Sequence, residues 1–494
     1  MNYFSKARTD SLLAAIRDGQ AMAASDKLNL IFQLSLPSIL AQVTNVMMFF
    51  IDQAMVGSLG AEAPAAIGLV ESTIWLFGGL ASAVSMGFSV QAAHFIGAND
   101  FEKARDVVRH GLHFCLAFSL VAMLSAILLS RPLPVWLGGG SDIVGDAATY
   151  FLIFACAIPF MQLNNLSAAI LKCEGNMRVS STMSVILCVL DVIFNFLFIF
   201  PTREVTLHLP FSIFNFSSFI FHLPGLGLGV AGAALGTAVA YFLCSLTQAW
   251  LAFFRSRILS VFRLSKYGVP YVTSKTFHSA YITNALKISM PMAAQSALMS
   301  GAQIVSTMIV APLGNFAIAA NTFAITAESL CYMPGYGIGE AATTLVGQSV
   351  GARRADLCKS FAWMAVCCGM VVMALMGVVM YLSAYDMMSL MTPVSEIRVL
   401  GSQVLRIEAF AEPFFAASIV VYCICVGAGD TLRPSAINLG SMWLVRLTLA
   451  ALLARDYGLR GVWLAMAVEL TFRGTLFLIH LFRGRWMKTV SSHQ

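Results

Sequence analysis

The chain repeats itself at a fixed spacing of 254 residues. Pro37, Gly60, Gly97, Pro159 and Gly175 recur as Pro291, Gly314, Gly351, Pro413 and Gly429. Neighbours travel with them, Leu59-Gly60 matching Leu313-Gly314 and Pro159-Phe160 matching Pro413-Phe414. No gap is needed over that stretch. Beyond residue 201 the spacing falls to 229, placing Gly232 opposite Gly461, so the first half carries an insertion of 25 residues. Two like halves built from apolar, membrane-length segments are a common plan of transporters, whose sites lie where the halves meet.

Composition sets the solvent. Apolar residues make up 59% of the chain and charged residues 11%, with a mean hydropathy of +0.80, against about 25% charged in a soluble domain. The sequence predicts an all-α integral membrane protein. Twelve apolar segments of roughly 20 residues or more fall at about 30–56, 64–94, 111–130, 147–171, 180–201, 227–254, 283–311, 316–346, 361–384, 398–426, 434–455 and 460–482. Lipid offers no partner to a free backbone group, so each must be a helix. A closed barrel needs alternation over about 10 residues, which continuous apolar runs exclude.

The chain divides into a tail over 1–29, a six-helix lobe over 30–254, a linker over 255–282, a second six-helix lobe over 283–482 and a tail over 483–494. The first tail has no short apolar core or cleavage site and does not resemble a cleavable signal. With that tail inside, the tails and even-numbered connections hold 21 Lys and Arg. Only Arg131, Arg203, Arg398, Arg455 and Arg460 fall outside. This asymmetry puts both termini in the cytoplasm, and the inserted stretch around 202–224 on the outer side. The net charge of +6 therefore calls for no nucleic acid. The linker, with Arg255, Arg257, Arg263, Lys266 and Lys275 among aromatics, suits contact with anionic lipids.

Two features invite other readings. The 11 cysteines lack zinc-ligand spacing and read as apolar packing, with no metal implied. Gly227-x-Gly229-x-x-Gly232 matches a dinucleotide fingerprint but follows no predicted strand; small residues here instead suit close helix contact.

The residues that need explaining are carboxylates inside spans, which cost about 2.5–3.5 kcal/mol for an Asp at a helix centre. They are Asp52, Glu71 and Asp191 in the first half and Glu328, Glu340, Glu408, Glu412 and Glu469 in the second. Some have candidate partners in Arg406, Arg446 or Arg473; the others call for a cavity or a bound cation.

Asp52-Gln-Ala-Met-Val-Gly57-Ser-Leu-Gly60, Leu345-Val-Gly-Gln-Ser-Val-Gly-Ala352, Gly427-Ala-Gly-Asp430-Thr431 and Gly461-Val-Trp463 together resemble the multidrug and toxic compound extrusion (MATE) family. The resemblance spans about 28–487. It implies two six-helix lobes in a V, a multi-pass protein of the plasma membrane (in a bacterium, the inner membrane) and export of organic cations against inward Na⁺ or H⁺. The partners it implies are small organic cations and membrane lipids, with a monomer expected and no cofactor beyond the coupling ion. The family's cation site then falls on Asp52, Tyr150, Asp191, Asn195 and Thr237. Relatives often carry Asn then Asp at the two positions of span five, whereas here the order is Asp191 then Asn195. Four apart, the two share one helix face. Hard oxygen ligands of this kind suit Na⁺, or a proton on a carboxylate.

In another branch the acids lie in spans seven and ten, where this chain has Met299 and Phe415. Glu328, Glu340, Glu408 and Glu412 are then the acids of the second lobe left to consider. Met and Phe residues, 26 and 36 of them, suit a cleft for flat cations. An alternative within transport is a flippase for a lipid-linked precursor, which needs a strongly basic cavity. An enzyme is not expected, because no HExxH or GxSxG motif appears.

Overall fold

The computed structural model describes residues 6–60, 62–207, 219–256, 258–260 and 279–487. A short helix α1 (Lys6–Arg17) leads into α2 (Ala24–Gly57), α3 (Glu62–Gly97) and α4 (Phe101–Leu129). The short α5 (Pro132–Trp136) precedes α6 (Val144–Cys173), α7 (Met177–Ile199) and α8 (Gly229–Trp250), which complete the first half. The second half runs through α9 (Ser279–Val310), α10 (Asn315–Gly351), α11 (Ala355–Met391), α12 (Ser395–Glu408) and α13 (Glu412–Gly427). It ends with α14 (Leu432–Gly440), α15 (Leu447–Tyr457) and α16 (Leu459–Phe482). A π turn, Ser441–Arg446, joins α14 to α15 in one span. Helices α12 and α13 form another, bent by 60° where Pro413 opens α13.

Counting that bent pair as one, 11 segments among the described residues are long and apolar enough to cross a bilayer. The twelfth predicted span is α10, 37 residues long but rich in Gly, Thr and Ala and carrying Glu328 and Glu340. Its polarity is tolerable because α2, α3, α11, α12 and α13 pack around it and largely shield it from lipid. The architecture is that of two six-helix lobes.

The lobes meet through repeat-related helices: α2 runs along α10, and α9 runs along α3. The closest approach is reciprocal. A Cβ on Gly97 would lie 2.0 Å from the Gln348 carbonyl, and one on Gly351 would lie 1.9 Å from that of His94. His94 and Gln348 are themselves 254 residues apart. The same pair makes matching hydrogen bonds, His94 Nε2 with the Gly427 carbonyl and Gln348 Nε2 donating to the Cys173 carbonyl, both at 2.8 Å. Thus the sequence repeat becomes a pseudo-two-fold axis, and glycine is needed where the two backbones touch. These contacts sit at the C-terminal ends of α3, α6, α10 and α13, the end of the bundle where α1 and Trp486 also pack.

The first spanning helix begins at Ala24, inside what the sequence suggests is tail, and α1 is not a free appendage. Leu13 and Ile16 are buried with Leu30 of α2, Leu345 of α10 and Trp486 near the C-terminus. Arg354 ties the helix down by donating to the carbonyls of Ala15 (3.3 Å) and Gln20 (2.6 Å). The inserted stretch forms two antiparallel strands, β1 (Pro201–Leu207) and β2 (Phe219–Leu226), a departure from the all-helical expectation. Two paired strands satisfy much of each other's backbone, which suits a segment lying beyond the end of α7. Residues 208–218, and nearly all of the linker apart from its two ends, lie outside the described residues.

Candidate cation site

The site is built where α7 lies against α2 and α8. Small residues bring α8 close: a Cβ on Gly232 would stand 2.4 Å from the Phe198 carbonyl, and one on Gly236 only 2.0 Å from Asn195 Oδ1 and 2.8 Å from its backbone nitrogen. Gly232, the last glycine of the dinucleotide-like motif, and Gly236 one turn on thus serve helix contact. On α7, Asp191 and Asn195 are four apart and fully buried, 0% and 1% exposed. The amide of Asn195 bridges the two acids, donating from Nδ2 to Asp52 Oδ1 at 2.8 Å and to Asp191 Oδ2 at 3.1 Å. Asp52 and Asp191 lie close enough for each to act on the other, and Thr237 of α8 lies beside Asp191.

Four of the five residues expected here are therefore brought together. Tyr150 makes no hydrogen bond to the carboxylates; it is a wall, packed with Val56, Ile199 and Ala233, near enough to feel both negative charges. Tyr241 occupies a similar position beside both acids and escapes the sequence reading, although it lies one turn beyond Thr237 and so on the same face.

Two buried oxygens of the cluster, Asp191 Oδ1 and Asn195 Oδ1, have no hydrogen-bond partner. Buried polar atoms are rarely left so. Both are acceptors, and they belong to residues in contact with each other, in a cluster of two carboxylates whose mutual repulsion a bound proton or Na⁺ would relieve. Carboxylate, amide and hydroxyl oxygens supply the hard ligands a small cation takes.

Gly236→Ala tests this packing. The added methyl must push Asn195 off its bridging position, because its backbone and side chain both lie within contact distance. Overpacking of this kind costs about 1–3 kcal/mol. The expected result is a lower melting temperature together with weakened ion binding, whereas Gly440→Ala, whose Cβ meets nothing within 4 Å, changes neither binding nor transport.

The acids of the second lobe separate into two places. Glu328, Glu408 and Glu412 gather at the break between α12 and α13, with Arg446 close enough to act on Glu328 and Glu408. Both oxygens of Glu408 and of Glu412 lack partners. Glu469 Oε1 meets Arg473 at 3.2 Å and accepts from the Ser441 hydroxyl, while its Oε2 has no hydrogen-bond partner. Glu340 instead faces the other lobe: Lys172 of α6 meets it at 2.6 Å and Gln42 of α2 donates to it at 3.0 Å. It borders a cavity of about 240 Å³ between the lobes, lined also by Ser85, Asn165, Met292, Tyr336 and Tyr422.

The family model described as MatE matches residues 37–197 and again 291–452, the two matches beginning 254 residues apart, the spacing of the internal repeat. The chain belongs to the MATE family. A probable multidrug resistance protein NorM of Thermotoga maritima is 22% identical over 460 residues, covering 93% of either chain. A protein of the same description from Pseudomonas aeruginosa is 28% identical over 89% of this chain and 86% of that one. A solved structure described as the outward-facing conformation of a multidrug resistance MATE family transporter of the MOP superfamily superposes with a TM-score of 0.81. It is 20% identical and covers 94% of this chain and 96% of that one. The twelve-helix, two-lobed arrangement is thus that of MATE transporters, and the protein is a multi-pass membrane protein.

Proposed function

We propose that this MATE protein is a secondary active efflux transporter, exporting organic cations or other xenobiotics by alternating access in exchange for Na⁺ or H⁺. The observation that carries the reading is the Asp52–Asn195–Asp191 cluster, a pair of buried acids bridged by one amide with two acceptor oxygens left open. A charge arrangement so expensive within a membrane is retained where it binds an ion. The names of the bacterial relatives, probable multidrug resistance proteins, support the substrate class.

The cycle follows from where the contacts lie. The excess of Lys and Arg at one face favours the cytoplasm for the end carrying α1, and lobes joined at that end are then closed inward. Ion loading from outside neutralises the acids, and the lost repulsion lets α2, α7 and α8 repack. That repacking favours the state in which the Gly97–Gly351 contact separates and the cleft opens to the cytoplasm. An organic cation then finds Glu340, whose Oε2 has no partner, beside the rings of Tyr336 and Tyr422. The described residues of that cavity include one basic side chain, Lys172, already paired with Glu340. This counts against a flippase, whose pyrophosphate cargo needs an excess of positive charge.

Ethidium export from proteoliposomes under separately imposed Na⁺ and proton gradients tests the proposal. Export driven by one of them is expected, and flux indifferent to both would overturn the reading. The orientation has its own test: a cysteine placed at the exposed Thr202, at the base of the hairpin, should react with impermeant reagents added outside. Labelling only from the cytoplasm would reverse the topology.

A further inference from the structure

Three arginines lie within the spans of the second lobe, and the structure finds acids for two of them. Arg473 pairs with Glu469 at 3.2 Å, and Arg446 lies close to Glu328 and Glu408. Arg406 has neither. Among the described residues no carboxylate stands within ion-pair distance of it; its Nε donates to the Tyr381 carbonyl at 3.3 Å and its guanidinium lies 5.7 Å from that ring's centroid.

Its surroundings are those of a lipid-facing surface. Arg406 is exposed in an open groove of about 770 Å³ between α11, α12 and α16, walled by Tyr381, Phe410, Leu464, Val468 and Phe472. Phe410 is 74% exposed, and the flanking Val378 and Leu382 of α11 are also exposed, as helix faces turned to hydrocarbon are. Arg406 lies 11 residues along α12, hence about 16 Å from the helix's outer end and well inside a hydrocarbon layer roughly 30 Å thick. An arginine there costs on the order of 2.5–3.5 kcal/mol, and one carbonyl and one ring face leave most of its five donors unused.

We propose that this groove is a binding site for an anionic phospholipid, with the phosphate drawn inward onto Arg406 and acyl chains lying along Leu464, Val468 and Phe472. The guanidinium offers the planar, paired donors that a phosphate takes, and the bilayer thins locally to bring the headgroup within reach. A zwitterionic lipid carries a phosphate too, but its tethered cation competes for it, so phosphatidylglycerol should bind in preference to phosphatidylcholine.

The test is native mass spectrometry of the full-length transporter titrated with each lipid, combined with photo-crosslinking by phosphatidylglycerol carrying a photoactivatable acyl chain. Wild type should hold phosphatidylglycerol more tightly than phosphatidylcholine and crosslink within α12 and α16. Arg406→Met should weaken phosphatidylglycerol binding about tenfold, the scale of one lost charge-assisted hydrogen bond, and remove those crosslinks. Arg406→Lys should keep part of both, and unchanged melting in detergent marks either variant as folded. Equal affinity for the two lipids, or crosslinks that survive in Arg406→Met, would overturn the site. Full displacement of phosphatidylglycerol by equimolar oleate would overturn the phosphate assignment.

Discussion

Asp52→Asn should abolish gradient-driven export while leaving the protein folded and inserted. The substitution keeps the size of the side chain and deletes one of the two charges that the Asn195 amide bridges. A unit charge about 4 Å from a bound cation contributes roughly 4 kcal/mol at an effective dielectric of about 20. Asp52 is only half-buried, so water screens part of this and the expected loss of ion affinity is nearer a hundredfold. Stability should move the other way if at all, because the variant no longer holds two repelling acids close together. Isothermal titration with Na⁺, proton-release measurements and ethidium flux in proteoliposomes supply the readouts. Normal gradient-driven transport by this variant would remove Asp52 from the mechanism.

Much of the fold can be read from the sequence because the solvent allows so little else. A run that must satisfy its own backbone in lipid is a helix, and a repeat without gaps must give two like lobes. What escapes the sequence depends on protein neighbours instead. Five prolines inside spans look equally able to bend them, yet Pro37, Pro159, Pro291 and Pro334 lie within continuous helices, and only Pro413 stands at the 60° break. The docking of α1 depends on Arg354, over 300 residues away, and the strand pair depends on an insertion with no counterpart in the second half.

The candidate site divides along the same line. Asp191 and Asn195 sit on one face because helical spacing puts them there, and that much is visible in the sequence. The bridge from Asn195 to Asp52 spans 143 residues, and in the sequence only the family resemblance placed the two together. Glu340 illustrates the limit: as a sequence it is one more acid of the second lobe. Its partner Lys172 belongs to the first lobe, 168 residues away, so the acid's place between the lobes appears only once they are assembled.

The order of acid and amide on α7 gives the sharpest test of how the cluster works. Asp191→Asn alone leaves Asp52 as the one carboxylate contacting Asn195, and ion-driven transport should fall by about tenfold or more, since a charge-assisted contact is worth roughly 1.5–3 kcal/mol. Adding Asn195→Asp restores a carboxylate one turn along the same face. At that position the new acid lies at 2.8 Å from where Asp52 Oδ1 stands, so the pair is rebuilt with acid and amide exchanged. The Thr237 hydroxyl, which lies beside residue 191 in the native arrangement, would then meet an amide. The double variant should therefore recover part, though not all, of the transport lost in the single one, and the shortfall should appear as weaker ion affinity with substrate binding unchanged. If both variants transport as the native protein does, the acid at 191 is structural. Coupling must then be sought at the other buried cluster with open oxygens, Glu408 and Glu412 at the break between α12 and α13, where Glu412→Gln becomes the decisive substitution.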